Sequence, residues 1–540
     1  MYLIQYSFIF KKRSCTCSAF CLPDNLVPFI IHLVRLVKVR KDARLRTVDF
    51  QDEILMEEQP LRRKISDIHT ARVVTSLPMD KIGDVAKKMS KENVSSVVIK
   101  AFNDKPVGII TEKDLVRKVL SVDKPDLEQR AHTIMSSGLV TVKPDDFAHR
   151  ALLMMIKYNI NHVVVADGHD VLHGIVTIKD LIRNRNTGAL SIVRQIEKQQ
   201  SFGELATVMN EVDQVLQALL NERSYASEIC ALVTELYDRV TRKIIRIAEN
   251  QMAEEGFGEV PARYCFINMG SAGRKEQFSR TDQDNGIIYE DPPAGTEEDC
   301  SRYFLNLGKH IVFGLEKCGF KLCKGKVMAD NPRWCSPLSG WKKNVHQWVE
   351  KLDTRNVRNM TIFLDYRYVN GDQALYNDLK DYTTNLFSQS GYALLFMAED
   401  DLRHRVPLNM FGRFITDKTA GEGNKINLKS AVMVHLVDCV RLFALREKIR
   451  ESNSFERIRR LKELGVFKAD DAEYMEAAYE ALLMFRIQNA VNNTKAGKSP
   501  DTYLDVSTLS RKEKSRLKRS MLTVSRLQTL TAHTFHVSKA

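Results

Sequence analysis

A multidomain α/β protein is what the sequence predicts, and three observations carry that expectation: a unit repeated at an offset of 66 residues, a glycine turn followed by paired aspartates, and a C-terminal third with helical apolar spacing. At ~150 residues per domain, a chain of 540 residues is too long for one core and calls for about three domains.

The repeat comes first in the chain. Val94-Ser-Ser-Val-Val-Ile99 aligns with Ile160-Asn-His-Val-Val-Val165, and the same offset places Ile68 on Ile134, Pro78 on Pro144, Gly108 on Gly174, Thr111 on Thr177 and Asp114 on Asp180. Each copy reads as a short strand, a helix, a buried β-branched strand, a turn, a second strand ending in Gly-x-x-Thr, and a closing helix. Thr111 and Thr177 can N-cap the closing helices. This Gly-x-x-Thr-x-x-Asp signature resembles a CBS-domain pair over residues 63–187. The resemblance implies an adenosine ligand, AMP or ATP, whose ribose is held by Thr111, Asp114, Thr177 and Asp180. Both copies keep the Asp as well as the Thr, and a simple cap does not need the Asp, so ligand binding is favoured over capping alone.

Residues 204–250 show apolar spacings of three and four in two blocks, Leu205 to Leu219 and Ile229 to Ile247, separated near 221–227. Two amphipathic helices are expected, packed on the following domain or on a second subunit; a homodimer is the expected assembly.

Next comes the passage that carries chemistry. A predicted strand, Tyr264–Met269, runs into Gly270-Ser-Ala-Gly-Arg-Lys-Glu-Gln277 and then Thr281-Asp-Gln-Asp-Asn285. Gly270 and Gly273 let backbone amides approach a ligand, a helix following them would aim its positive end at the same point, and Ser271 and Arg274 can bind phosphate oxygens. Asp282 and Asp284 alternate about Gln283, so on an extended segment they point to one side and can share a divalent cation. Within Thr361–Tyr368, read as a strand, Asp365 is an acid among apolar residues. Taken singly, Asp282–Asn285 reads equally as an Asx-rich turn, and Asp365 with Arg367 as an internal ion pair. Together, after a glycine turn, they favour catalysis.

Gly-Ser, Asp-x-Asp and a later acid resemble the polymerase-β-like nucleotidyltransferases. More closely, Gly270-Ser-x-Gly-Arg-x-Glu-Gln277, Thr281-Asp-Gln-Asp-Asn285, Asn331-Pro-Arg-Trp334, Asp365-x-Arg367, Arg403-His-Arg405 and Phe411-Gly-Arg-Phe414 resemble bacterial signalling proteins. These join CBS pairs to a nucleotidyltransferase domain of the domain-of-unknown-function 294 class and are similar to the uridylyltransferase of the PII nitrogen-signalling protein. That resemblance implies a nucleotidyltransferase domain with a mixed sheet over 200–372 and a helical substrate-binding domain over 373–526. It also implies two Mg2+ ions on Asp282, Asp284 and Asp365, with Asp365 helping to activate the attacking hydroxyl. The donor would be UTP or ATP, bound by Gly270, Ser271, Gly273 and Arg274. The acceptor would be a protein, possibly PII-like. Nucleotidyl transfer to a small molecule or RNA and a catalytically silent adenine-nucleotide sensor are the alternatives. The hydrolase and ligand-sensing domains of the PII uridylyltransferases find no counterpart here.

Composition limits the other classes. With 44% hydrophobic and 28% charged residues and no run of ~20 uncharged apolar residues, a membrane partner is not expected and a cytoplasmic location is. Val27–Val39 carries His32, Arg35 and Lys38, which suits an amphipathic helix in an otherwise unassigned segment, 1–62. Cys15, Cys17 and Cys21 cluster without partners at zinc-site spacing, and the ten cysteines read as reduced thiols. The net charge is +13, yet residues 507–540 hold eight Lys or Arg against one Glu without interleaved aromatics. A solvated helix face is expected there, and nucleic acid is not an expected partner.

Overall fold

The computed structural model describes residues 64–183, 189–221, 224–409, 411–417, 424–496 and 502–537, all within one compact unit, Gln59–Ala540. The stretch 27–39 and the three clustered cysteines lie outside the described residues.

The repeat is written into the hydrogen-bond ladders. The first copy runs β1 (Thr75–Ser76), α1 (Ile82–Lys91), β2 (Ser96–Lys100) and β3 (Pro106–Thr111). After β4 (Ser136–Ser137), the second runs β5 (Thr141–Val142), α2 (Ala148–Tyr158), β6 (His162–Ala166), β7 (Leu172–Thr177) and α3 (Ile178–Arg183). In the antiparallel pairs Val98 faces Ile109 and Val164 faces Ile175, so the register itself repeats at the sequence offset. The copies exchange their leading segments: Ser137 pairs with Gly108, while Thr70 bridges to Ile175. This crossing explains the repeated glycine. A Cβ on Gly108 would lie 2.5 Å from the Met135 sulfur, and one on Gly174 would lie 2.1 Å from the His69 ring.

Three helices follow, α4 (Ala189–Lys198), α5 (Phe202–Asn221) and α6 (Ala226–Glu254). The last is 29 residues long and buries residues around most of its circumference, as a helix enclosed by several layers must. Beyond it lie β8 (Tyr264–Asn268), α7 (Gly270–Gly273), β9 (Asn285–Tyr289), α8 (Glu297–Lys317), β10 (Cys335–Pro337), α9 (Leu338–Glu350), α10 (Thr354–Phe363), β11 (Arg367–Gly371), α11 (Gln373–Gln389) and α12 (Gly391–Leu402). The sheet order is β10-β9-β8-β11, with β9–β10 parallel and the other pairs antiparallel. It is therefore mixed.

One expected strand is not there. Most of residues 361–368 belongs to the end of α10 and a turn, and β11 begins only at Arg367. The Asp353 carboxylate caps α10 by accepting from the Asn356 amide at 2.9 Å, and the buried side chains Val357, Met360, Phe363 and Leu364 recur at the helical period.

The chain closes with β12 (Lys425–Asn427), α13 (Val434–Arg446), α14 (Ser454–Glu463), α15 (Ala469–Lys495), β13 (Tyr503–Asp505) and α16 (Arg511–Thr534). Leu517, Met521, Val524 and Leu527 bury one stripe of α16, and its cations occupy exposed or half-buried positions, as a solvated basic face requires. Among the described residues, no helix is long and apolar enough to cross a membrane. One hydrophobic core runs from the second repeat through the mixed sheet into the C-terminal helices, whereas the first repeat has a core of its own around Ile82, Val97 and Ile110.

Candidate active site

The glycine turn and the paired aspartates meet. Gly270 has φ +55°, and a Cβ there would lie 2.8 Å from the Asp284 carboxylate, so the turn and this acid are in direct contact. The expected alternation is visible as burial. Gln283 and Asn285 are inside, where Gln283 donates to the Val312 and Phe320 carbonyls and Asn285 accepts from the Ala329 amide. Asp282 is exposed and Asp284 half-buried, and neither has an ion pair among the described residues. Burial raises the Asp284 carboxyl above its usual range and the Asp282 charge adds to this, while Cys323 and Lys429 act in the opposite sense.

Asp365 is placed elsewhere, as a structural anion. It is completely buried and accepts from Arg274 at 2.7 Å, from Arg441 Nε at 2.9 Å and from Arg457 at 2.7 Å. Burial alone would raise this carboxyl; the three guanidinium groups outweigh it and hold it far below the carboxylate range. A carboxylate so enclosed cannot bind magnesium or take a proton from an acceptor. Arg367, its expected partner, instead makes a two-pronged pair with Asp238 at 2.7 and 2.9 Å.

Three further expectations change. Arg274 donates to Glu276 at 2.7 Å as well as to Asp365, and is therefore committed to protein carboxylates and not to phosphate. Gly273 serves packing: a Cβ would come within 2.0 Å of the Asp365 carbonyl oxygen. The helix after the turn is a single turn of four residues, too short to supply a helix dipole. Ser271 remains half-buried beside Gly270 with its hydroxyl in no hydrogen bond among the described side chains. Arg403, His404 and Arg405 directly follow α12 and are exposed, as a basic helix terminus.

A cleft of about 450 Å³ opens beside Asp282, between the mixed-sheet domain and the C-terminal helices. Arg280, Lys321, Lys429, Arg486 and Thr494 also line it. A second, larger cleft of about 1180 Å³ lies between the two repeats and is lined by Thr111, Asp114 and Thr177 together with Arg72, Lys118 and His162. Here the Asp residues are part of the caps after all. Thr111 donates to Asp114 at 2.6 Å through its hydroxyl and at 3.0 Å through its amide, and Thr177 does the same to Asp180 at 2.7 and 2.8 Å. Each Thr–Asp pair is a reciprocal capping box, so the pair by itself does not demand a ligand.

The model described as "Putative nucleotidyltransferase DUF294" matches residues 210–355, "Putative nucleotidyltransferase substrate binding domain" matches 392–535, and the CBS-domain model matches 65–121 and 131–186. The chain belongs to the DUF294 family of CBS-linked nucleotidyltransferase proteins. An uncharacterized protein of Methanopyrus kandleri is 33% identical over 136 residues, which is 25% of this chain and 69% of that protein. Another, from Acidianus ambivalens, is 31% identical over 120 residues, 22% of this chain and 71% of its own length. Among solved structures, a CBS-domain protein from Pyrobaculum aerophilum complexed with AMP is 30% identical, covering 22% of this chain and 89% of that one, with a TM-score of 0.21.

A magnesium ion fits this DUF294 site at Asp282 and Asp284, and not at Asp365. Among the described residues no three His, Cys, Asp or Glu side chains converge on one point, and two carboxylates with substrate phosphates and water are a usual magnesium set. Three residues escaped the sequence reading of this family member. Asp238, Lys429 and Arg486 come from other segments, and only Arg486 left a readable sign, as a lone cation in the apolar run Ala481-Leu-Leu-Met-Phe-Arg-Ile487.

Proposed function

We propose that this protein is a CBS-regulated, magnesium-dependent nucleotidyltransferase that moves a nucleotidyl group from a nucleoside triphosphate, UTP or ATP, to an acceptor, with a PII-like signalling protein as the first candidate. One observation carries the reading: Asp284 lies against the Gly270 turn and Asp282, two residues before it, lines an open cleft, and neither has an ion pair among the described residues. Structural aspartates in this molecule look different, for Asp365 and Asp238 are each neutralised by arginine.

An acceptor hydroxyl oxygen attacks the α-phosphorus, the bond to the α–β bridging oxygen breaks, pyrophosphate leaves, and the acceptor proton passes to solvent. Gly270 and Ser271 bind phosphate, while Asp282 and Asp284 would hold magnesium. Bound there, two magnesium ions would neutralise phosphate charge. Arg367 keeps the turn in place by donating to the Ala272 carbonyl at 3.0 Å.

An adenine nucleotide bound between the repeats by Thr111, Asp114, Thr177 and Asp180 is the proposed regulator, and the five cations Arg72, Lys113, Arg117, Lys118 and Lys179 around that cleft suit its phosphate. Action in the cytoplasm and assembly as a homodimer belong to the same proposal. The absence of Asp365 from the site favours, as a second reading, a catalytically silent sensor. Incubation with labelled UTP or ATP, magnesium and a purified PII-like protein separates the two. Label transferred to the acceptor supports the enzyme; nucleotide binding without transfer to protein, RNA or small molecules supports the sensor.

A further inference from the structure

Resting on the nucleotidyltransferase reading, we infer that the donor's β- and γ-phosphates are gripped by Lys429 and Arg486 of the helical C-terminal domain, across the cleft from Asp282. The sequence gives this task to Arg274, and the structure withdraws it, because Nε and Nη1 of that guanidinium are engaged by Glu276 and Asp365. A triphosphate then needs cations from elsewhere. Arg274, Arg280, Arg367, Arg441 and Arg457 are each paired with a carboxylate.

Arg486 and Lys429 break that pattern. Neither has an acidic partner within ion-pair distance among the described residues, and the Arg486 guanidinium lies over the Phe278 ring at 5.1 Å. Both line the cleft that contains Asp282. The cleft walls and the nearby Arg486 charge hold the Lys429 ammonium below its usual range, and burial lowers Arg486 likewise. Asp284 and Asp282 offset this at Lys429 only in part, and two cations that crowd one another with no carboxylate within ion-pair distance form a site that a polyanion would relieve. Polyphosphate carrying magnesium matches this arrangement: its metal belongs against Asp282 and Asp284, and its terminal oxygens against the two cations.

The domains therefore share one donor site. Two residues of the glycine-turn motif, Arg274 and Glu276, dock the C-terminal domain that brings Lys429 and Arg486; the Arg274 carbonyl accepts from the Asn453 side-chain amide at 2.7 Å. Glu276 accepts from the Ser454 amide at 2.9 Å and from the Tyr479 hydroxyl at 2.6 Å.

Calorimetry of the full chain with magnesium and either an α,β-methylene nucleoside triphosphate or inorganic pyrophosphate tests this. Lys429→Ala and Arg486→Gln should each weaken both ligands by about tenfold or more, as loss of a charge-assisted contact does, and leave nucleoside monophosphate binding at the catalytic cleft unchanged. Arg486→Lys should recover part of the loss, and unchanged melting curves would exclude unfolding. If both variants bind triphosphate and pyrophosphate like the parent while Asp282→Asn still abolishes transfer, the inference is wrong and the nucleotidyltransferase reading stands. If the parent itself binds neither ligand in the presence of magnesium, that reading fails and takes the inference with it.

Discussion

Asp238 and Arg239 are consecutive on α6, yet they hold different parts of the molecule. Asp238 accepts both prongs of Arg367, whose guanidinium also donates to the Ala272 carbonyl inside the glycine turn. Arg239 donates to the carbonyls of Ile156, at 2.9 Å, and Lys157, at 3.0 Å, at the end of α2. Asn159, Ile160 and His162, just beyond those carbonyls, line the cleft between the repeats. A ligand in that cleft thus lies a few bonds and two arginines from the Gly270 turn.

Arg239→Ala should leave basal transfer unchanged but remove the response of transfer to an adenine nucleotide, while the nucleotide still binds. Allosteric couplings are typically ~1 to 3 kcal/mol, so the parent should respond several-fold or more. Turnover with and without AMP, with AMP binding measured separately, checks this. A variant that keeps the full response would show that coupling runs by another route.

Asp365→Asn should damage folding more than chemistry. Removing this charge leaves Arg274, Arg441 and Arg457 facing one another in the interior, and breaking a buried pair typically costs ~3 to 5 kcal/mol. Denaturant melts should show that loss. A fully stable variant lacking transfer would instead restore Asp365 to the active site.

Asp282→Asn and Asp284→Asn should do the reverse, lowering transfer by ~10² to 10³ without loss of stability. Asp284→Asn should even stabilise the fold at neutral pH. Its carboxyl is raised in the folded state, so its ionisation opposes folding as pH rises past the unfolded value, and the amide carries no such penalty. Transfer rates and thermal melts at pH 7 read both effects.

The extent to which this was legible depended on sequence distance. The repeat was readable because each copy sets the same ladder, down to the glycine crossed by the other copy's leading segment. The alternation of Asp282 and Asp284 about Gln283 was readable because it is local. Asp365 misled because Ile362, Leu364, Tyr366 and Tyr368 fit a strand as well as Val357, Met360, Phe363 and Leu364 fit a helix, and period alone does not decide between them. What decides its role is Arg441 and Arg457, 76 and 92 residues away, which leave no local mark. Lys429 was hidden for the same reason, and Arg486 showed only as a lone cation in an apolar run.

The last expectation concerns pH and the junction of three domains. Glu480 on α15 accepts from the Ala226 and Ser227 amides at the first turn of α6, and Glu228, the next residue, is paired with His149 of α2 at 3.0 Å. Burial, opposed by those amides and aided by Glu228, raises the Glu480 carboxyl to about 7. A carboxyl raised on folding binds its proton more tightly in the native state, so stability falls as pH rises from its unfolded value, ~4.3, toward 7. Across that window Glu480 should contribute a loss of roughly 3 kcal/mol at most. Glu480→Gln keeps an acceptor for the amides but cannot ionise. Its unfolding free energy, measured in denaturant at pH 5 and pH 7.5, should therefore fall less between the two than that of the parent. Equal pH dependence in both proteins would mean that Glu480 is already ionised at pH 5, with the amides at the start of α6 outweighing its burial.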